Sequence, residues 1–173
     1  KLRIGMLPES RKEEGLVLVR SMRENIAYAE VERSARFGMV EWKRIRKAAA
    51  RLTEYLSIRP ANPNIQVHFL SGGNQQKVVL SKLLAAGCDV LILDEPTRGV
   101  DVGARMEIYK LMQEMKAEGK AILMISSDLP EILTQTDRIL VMAKGKISAE
   151  MPTSTASEEA VLSAALQMAE VAR

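Results

Sequence analysis

Residues 90–95 read Val-Leu-Ile-Leu-Asp-Glu, four apolar side chains followed directly by two carboxylates. An apolar run without alternation is typical of a strand that is covered on both faces, as in a parallel sheet. Two further runs of this kind lie at residues 121–125 and 139–143, and residues 101–119 carry the apolar spacing of a helix. Because strands alternate with helices, the sequence predicts an α/β fold built on a parallel sheet.

The part of the chain before residue 70 has a different pattern and is predicted to be mainly helical. Ser21-Met22-Arg23-Glu24 reads as a capping box at a helix start, and residues 41–57 repeat apolar side chains at steps of three and four. The predicted organisation has four segments: the end of a core strand with a hinge at 1–9, a helical subdomain at 10–70, an α/β core at 71–150 and a C-terminal helix at 151–173.

Composition excludes several classes of protein. The chain has 173 residues, of which 47% are hydrophobic and 27% charged, and this balance indicates a globular domain. Its single cysteine excludes an internal disulfide. Its longest apolar runs are far shorter than the roughly 18 residues that a membrane-spanning helix needs. Two Phe, three Tyr and one Trp are too few for a base-stacking platform.

The net charge of +3 is unevenly distributed along the chain. The first 60 residues carry 14 basic and 8 acidic side chains, and part of this excess lies on one predicted helix, at Lys43, Arg44, Arg46, Lys47 and Arg51. Such a face can bind nucleic acid or anionic lipid. No recognition motif accompanies the charge, so we favour a solvated helix face and predict no nucleic-acid partner.

Asp94 and Glu95 end the first of the predicted core strands. Ligands in open α/β sheets bind outside the carboxyl ends of the strands, which is where this pair falls. A carboxylate there can hold Mg²⁺, directly or through water, and a neighbouring carboxylate can orient or deprotonate an attacking water. The alternative is a strand end that simply meets solvent, and the pair alone does not decide between the two.

Ser71-Gly72-Gly73 opens a predicted helix over residues 73–86. Backbone N–H groups at such a helix start form a phosphate site, and glycines let phosphate approach the backbone closely. An ordinary turn is the alternative. Ser127 follows the strand at residues 121–125 and can contact a terminal phosphate or a water, although its chemistry alone favours a helix cap.

The phosphate-cradling pattern G-x-x-x-x-G-K-[ST] does not occur in these 173 residues. The sequence also opens on Lys1 rather than on Met. We therefore expect it to begin downstream of such a loop in a longer protein.

Together these motifs resemble those of an ABC-type ATPase. Residues 70–77, Leu-Ser-Gly-Gly-Asn-Gln-Gln-Lys, resemble the signature motif, residues 90–97 resemble the Walker B strand with its glutamate, and residues 99–101 resemble the D-loop. More narrowly, residues 7–16 and the Asn-Gln-Gln-Lys form of the signature are similar to the second cassette of fused tandem ATPases. Those ATPases power bacterial importers of ribose, galactose, xylose and related sugars, and of some nucleosides.

The resemblance implies a partial P-loop-type ABC nucleotide-binding domain, a parallel-sheet core with a mainly helical subdomain. ATP with Mg²⁺ would lie between the P-loop of one cassette and the signature residues of the other, which here are Ser71, Gly72, Gly73 and Gln75. Asp94 would position Mg²⁺, Glu95 would act on the attacking water, and Asp101 would reach across the interface between cassettes.

The resemblance also implies partners and a location. Residues 10–70 would dock on an integral membrane permease, and a second cassette and an exported sugar-binding protein would complete the importer at the cytoplasmic face of the bacterial inner membrane. Glu9, in the hinge, and Ser127 stand where the family usually has glutamine and histidine. Because serine cannot give a phosphate a cationic contact, we expect slow rather than absent hydrolysis at this cassette's own site.

Two other functions stay open from the sequence. One is a non-catalytic cassette that lends its signature residues to a partner ATPase without turning over ATP itself, and the missing phosphate loop favours this for the chain in isolation. The other is a soluble cassette in translation or DNA repair, which would lack a permease partner. The sequence does not identify the transported sugar.

Overall fold

The computed structural model describes residues 3–36 and 39–170. Its contacts divide the chain after Ile125 into two compact units. This division differs from the predicted boundary between an α/β core ending at 150 and a C-terminal helix from 151. None of the helices in the described ranges combines the length and apolar character needed to cross a membrane.

The first unit contains, in chain order, β1 (Ile4–Leu7), α1 (Met22–Ser34), β2 (Ala35–Arg36), β3 (Met39–Val40), α2 (Trp42–Tyr55), α3 (Gly72–Ala85), β4 (Val90–Asp94), α4 (Val102–Ala117) and β5 (Ala121–Ile125). The second unit contains α5 (Leu129–Gln135), β6 (Arg138–Ala143), β7 (Lys146–Pro152) and α6 (Glu158–Glu170). The helices predicted over residues 41–57, 73–86 and 101–119 are therefore confirmed within a few residues.

A three-stranded parallel sheet is the centre of the first unit, in the order β1-β4-β5. Leu7 of β1 pairs with Leu93 of β4, which in turn pairs with Met124 of β5. This confirms the α/β fold with a parallel sheet. The alternation of strand and helix along the chain dictates it, since parallel strands need a crossover connection between them.

The two faces of the sheet differ in burial among the described residues, and the prediction that residues 121–125 form a strand buried on both faces is wrong. Leu7, Leu91 and Leu93 are fully buried in one core with α3 and α4. On the opposite face four apolar side chains are 45–59% exposed: Ile4, Met6, Leu123 and Ile125. Val90 and Ile92 of β4 are half-buried on this second face. The uniform apolar run therefore reflects two apolar faces, of which one is fully buried and the other is partly exposed.

Local capping explains where the helices begin. The capping box before α1 is confirmed: the Ser21 N–H donates to Glu24 Oε2 at 2.8 Å, and the Glu24 N–H donates to Ser21 Oγ at 3.2 Å. Asp101 caps α4 by accepting from the Ala104 N–H at 2.9 Å, as predicted. The helical arm, α1 and α2, joins α3 through buried apolar side chains such as Ile26 and Leu52.

The second unit corrects two predictions. Asp128, not Ser127, caps α5 by accepting from the Glu131 N–H at 3.1 Å, because the helix begins one residue later than expected. The strand at 139–143 is β6, which pairs antiparallel with β7 in its own two-stranded sheet rather than joining the parallel one. A tight turn with positive φ at Lys144 and Gly145 (49° and 75°) permits this hairpin.

Candidate functional site

The acidic pair lies at the carboxyl end of β4, where the sequence places it. Asp94 is the last residue of the strand and is aligned with Ile125 of β5, and the Glu95 N–H donates to the Ile125 carbonyl at 2.9 Å. Glu95 has a φ of +47°, a left-handed backbone that costs a non-glycine residue about 1–3 kcal/mol. The strand thus stops abruptly, and both carboxylates remain only half-buried at the sheet edge.

A short ordered turn connects this pair to the start of α4. The Arg98 N–H donates to the Glu95 carbonyl at 3.1 Å, and the Val100 N–H donates to the Thr97 carbonyl at 3.2 Å. Gly99 has a φ of +65°, a conformation that glycine adopts without steric penalty. The turn delivers Asp101 to the N-cap of α4, where the residue is exposed to solvent. Residues 94–101 therefore form one continuous segment at the carboxyl end of β4, and we call this segment the edge of the site.

Ser71, Gly72 and Gly73, which we call the signature turn, begin α3 beside that edge. Ser71 is exposed, and its Oγ accepts from the Asn74 side-chain amide at 2.9 Å and from the Asn74 N–H at 3.4 Å. Gly72 and Gly73 follow as the first residues of a 14-residue helix. Backbone N–H groups in this first turn, at the positive end of the helix dipole, are suited to an anion.

The two glycines are also required by packing, a role that the sequence analysis missed. A Cβ on Gly72 would lie 2.7 Å from Arg11 Nη2 and 2.9 Å from the Gly99 carbonyl oxygen. A Cβ on Gly73 would overlap the Cβ of Ala104 on α4. Close approach of the signature turn to the turn after β4 therefore depends on both glycines. The small residue Ala104, one turn after the Asp101 cap, is the sequence signal that could have indicated this close packing.

Arg11 is a residue that the sequence analysis missed. Its Nη1 donates to the Arg98 carbonyl at 2.8 Å and its Nη2 to the Gly99 carbonyl at 3.2 Å. Its Nε donates to Gln75 Oε1 at 3.4 Å. Burial lowers the pKa of the Arg11 guanidinium from its usual value. In the sequence this residue is one of several charges between 9 and 14, and nothing there separates it from a solvated run.

Glu9 forms an ion pair with Arg98, so the predicted hinge residue contacts the turn after β4. Gln75 behaves differently from the exposed Ser71. It is only 5% exposed, and its side-chain amide donates to the Val67 carbonyl at 3.2 Å while its oxygen accepts from Arg11. Gln75 is predicted to contact ATP, and in the structure its side chain forms hydrogen bonds within the chain.

Lys77, the last residue of the signature run, is also buried. Its Nζ donates to Glu107 Oε2 at 2.6 Å and to the Ser57 carbonyl at 3.3 Å, which links α3 to α4 and to the end of α2. Asn74 makes a similar link, because its Oδ1 accepts from the Arg59 N–H at 2.8 Å. The polar residues after the glycines therefore hold the signature turn in place.

Ser127 belongs to the second unit and is exposed. Its neighbour Ser126 carries the local hydrogen bonds, since Ser126 Oγ donates to Glu131 Oε2 at 2.5 Å and accepts from the Asp128 N–H at 3.0 Å. These hydrogen bonds of Ser126 order the start of α5.

Among the residues that the structure describes, no group of three or more His, Cys, Asp or Glu side chains is placed to hold a metal. The donor chemistry of the acidic pair nonetheless fits Mg²⁺. Magnesium prefers oxygen ligands, keeps several waters and commonly takes only one or two protein carboxylates together with substrate phosphates. Asp94 and Glu95 supply such carboxylate oxygens at the carboxyl end of β4, where both residues are half-buried.

Comparisons with known proteins agree with this geometry. The chain is 51% identical over 163 residues to ribose import ATP-binding protein RbsA 1 of Streptomyces avermitilis, an alignment that covers 94% of this chain and 31% of the relative. It is 48% identical to ribose import ATP-binding protein RbsA of Bacillus subtilis, with 94% and 33% covered. The chain thus spans about a third of the length of the curated relatives it matches.

A solved structure and a family model complete the comparison. The ATP-binding cassette MJ0796, in a dimeric structure bound to ADP and Pi, superposes with a TM-score of 0.74 at 21% identity, covering 88% of this chain and 63% of that one. This likeness shows the fold. The model of the ABC transporter family matches residues 2–98, which include the hinge, the signature turn and the acidic pair. The chain therefore belongs to the ABC transporter family.

Proposed function

We propose that this chain is part of an ATP-binding and ATP-hydrolysing subunit that energises import of a simple sugar, with ribose the first candidate, across the bacterial inner membrane. The observation that carries the proposal is the single continuous edge at residues 94–101, held beside the signature turn by Arg11. The names of the relatives, ribose import ATP-binding proteins at about half identity, support the sugar.

In this proposal each side chain at the edge has a separate task. Asp94 holds Mg²⁺, which neutralises phosphate charge when bound, and Glu95 accepts a proton from the attacking water. The exposed Ser71 and the N–H groups of Gly72 and Gly73 face the phosphates of an ATP that another cassette holds. Asp101 approaches that other cassette from the N-cap of α4. Gln75, buried and bonded within the chain, acts by positioning rather than by touching the nucleotide.

We further propose that the chain is the second cassette of a fused tandem protein. The relatives are about three times as long as the chain, which leaves ample length for a first cassette. The helical arm, α1 and α2, would dock on the permease at the cytoplasmic face, and an exported sugar-binding protein would deliver the sugar. Ser127 stands where the family usually has histidine and cannot give the transferred phosphate a cationic contact, so this cassette's own site is the slower of the two. Glu9, in place of the usual glutamine, is the second departure from the family pattern.

The test is ATP-driven uptake of radiolabelled ribose by vesicles that contain the intact protein, its permease and its binding protein. We expect Glu95→Gln to lower ATP hydrolysis at this site by about 10²- to 10⁴-fold, because the side chain that accepts the proton is lost. Glu159→Gln, which removes an exposed carboxylate from the first turn of α6, is the matched control and should match the wild type. Uptake that needs no ATP, or hydrolysis at this site that is unchanged in Glu95→Gln, contradicts the proposal.

The alternative that the test has to distinguish is a cassette that only lends its signature turn to a partner ATPase. That alternative predicts that Glu95→Gln leaves hydrolysis unchanged whereas a bulky substitution of Ser71 abolishes it. The same uptake assay therefore distinguishes the two functions.

A further inference from the structure

We extend the hinge, which the sequence analysis ended at Glu9, to residues 9–11. We infer that Arg11 is a positioning residue for ATP hydrolysis, which couples this hinge to the turn at residues 98–101 and to the signature turn. The inference rests on the proposed function, because it concerns how the proposed site is held together. Arg11 touches no residue that we assign to contact with water or metal. It acts through the backbone that carries Asp101 and through the helix that begins after Ser71.

The hydrogen bonds of Arg11 are directional and converge on one turn. Two of its terminal nitrogens donate to consecutive carbonyls, those of Arg98 and Gly99, at 2.8 and 3.2 Å. The planar guanidinium has a fixed fork of donors, so two such bonds fix the orientation of the turn as well as its position. A lysine ammonium in the same place is a single point charge and cannot hold both carbonyls in this geometry.

The third hydrogen bond of Arg11 extends the junction to α3. Nε donates to Gln75 Oε1, and the other end of the Gln75 amide is fixed by its bond to the Val67 carbonyl. Gly72 leaves the space that the guanidinium occupies, since a Cβ there would lie 2.7 Å from Nη2. A single side chain from the hinge therefore contacts both the signature helix and the turn after β4.

The Glu9–Arg98 ion pair links the same two segments a second time. Its side chains are 55% and 61% exposed, so this link is weak by itself and screened by salt. Arg11 is half-buried and bonded to backbone, and we therefore assign it the larger part of the coupling. A displacement of the hinge therefore moves the turn that carries Asp101 relative to the turn that carries Ser71.

The first experiment measures ATP hydrolysis by the intact protein with its permease, comparing Arg11→Met, Arg11→Lys and the neighbouring control Lys12→Ala. A misplacement of about 1 Å in a catalytic arrangement can lower the rate by about 10²-fold. We expect Arg11→Met to lower kcat by about 10- to 100-fold with a change in KM for ATP below about threefold, since Arg11 does not bind the nucleotide. Arg11→Lys should recover part of the loss, and the exposed Lys12→Ala should equal the wild type.

A second measurement decides the coupling even if no hydrolysis is detected. Amide hydrogen exchange of Arg98 and Val100, whose N–H groups close the turn, should become about tenfold faster in Arg11→Met, because hydrogen bonds from a charged group have been lost. Exchange in α2 should be unchanged. Equal exchange at Arg98 and Val100 in the variant and the wild type overturns the inference, as does a fall in kcat that tracks only the unfolded fraction. A wild type without ATPase activity overturns the proposed function instead.

Discussion

The two sides of α3 are joined to the rest of the first unit by different sets of contacts. Toward the helical arm, buried apolar side chains meet, with Met22 and Ile26 of α1 in the same core as Val78 and Leu80 of α3. Toward the hinge, the apolar core continues, and a hydrogen bond from Arg11 to Gln75 and the close approach of two glycines are added to it. Apolar burial gives large and non-directional stabilisation, whereas hydrogen bonds give smaller but directional stabilisation.

This difference assigns separate tasks to the two sides. The arm and α3 form one rigid body, because a well-packed core does not deform gradually. The hinge side can change its geometry by exchanging a few hydrogen bonds at small net cost. Substitutions on the arm side should therefore change stability, and substitutions on the hinge side should change the geometry of the site.

The largest expected effect is on the arm side. Ile26→Ala removes a fully buried side chain from the core and should lower the free energy of unfolding by about 2–5 kcal/mol. Activity per folded molecule should remain within about twofold of the wild type, because the site residues are untouched. Chemical denaturation measures the first quantity and active-site titration the second.

The control for that substitution is Tyr28→Ala, on the same helix but 57% exposed, which should change stability by less than about 0.5 kcal/mol. A strong loss of activity in folded Ile26→Ala would show that the arm side also sets the geometry of the site, and would remove the contrast between the two sides.

An intermediate effect is expected where α3 meets α4. Gly73→Ala introduces a Cβ that would overlap Ala104, and the resulting displacement should cost about 1–3 kcal/mol of stability. The matched control is Gly103→Ala on α4, whose Cβ would lie at an ordinary 3.5 Å from Asp101 Oδ1. Thermal unfolding should separate the two variants clearly, with Gly103→Ala near or above the wild type. Equal stability of both would mean that the close approach at Gly73 is not needed.

The smallest effect concerns the capping box of α1 and depends on pH. Hydrogen bonds from Ser21 lower the pKa of the Glu24 carboxyl below its usual 4.5. Because the folded-state pKa is the lower one, this stabilisation is complete above the unfolded-state pKa and is lost as the pH falls through the folded-state pKa. Glu24→Gln should therefore melt below the wild type at pH 7, and the gap should close at acidic pH. A gap that is constant from pH 7 to pH 3 would contradict this origin.

Sequence reasoning predicted the elements that depend on neighbouring residues. The Ser21–Glu24 box, the Asp101 cap and the run at 90–95 are local signals, and the structure bears them out. Burial was harder, because an apolar run does not show which of its faces is covered, as Ile125 and Met142 illustrate with 45% and 65% exposure.

The junction at Arg11 shows the other limit. Its partners Gln75 and Gly99 are 64 and 88 residues away in sequence, and a hydrogen bond of that span has no local signature. Gln75 is predicted to contact the nucleotide because it belongs to the signature run, and the sequence does not indicate its hydrogen bonds with Val67 and Arg11. Such long-range bonds are seen only in the folded chain.

We propose that the signature turn and the edge at residues 94–101 serve a triphosphate. Amide hydrogen exchange of the intact protein with and without ATP and Mg²⁺ tests it most directly, in the Glu95→Gln variant so that ATP is not consumed. We predict slower exchange at residues 72–74 and 95–101 with ATP and Mg²⁺, and no change in α2. If bound ATP left the exchange rates of both segments the same as in the protein without ATP, this proposal would be contradicted.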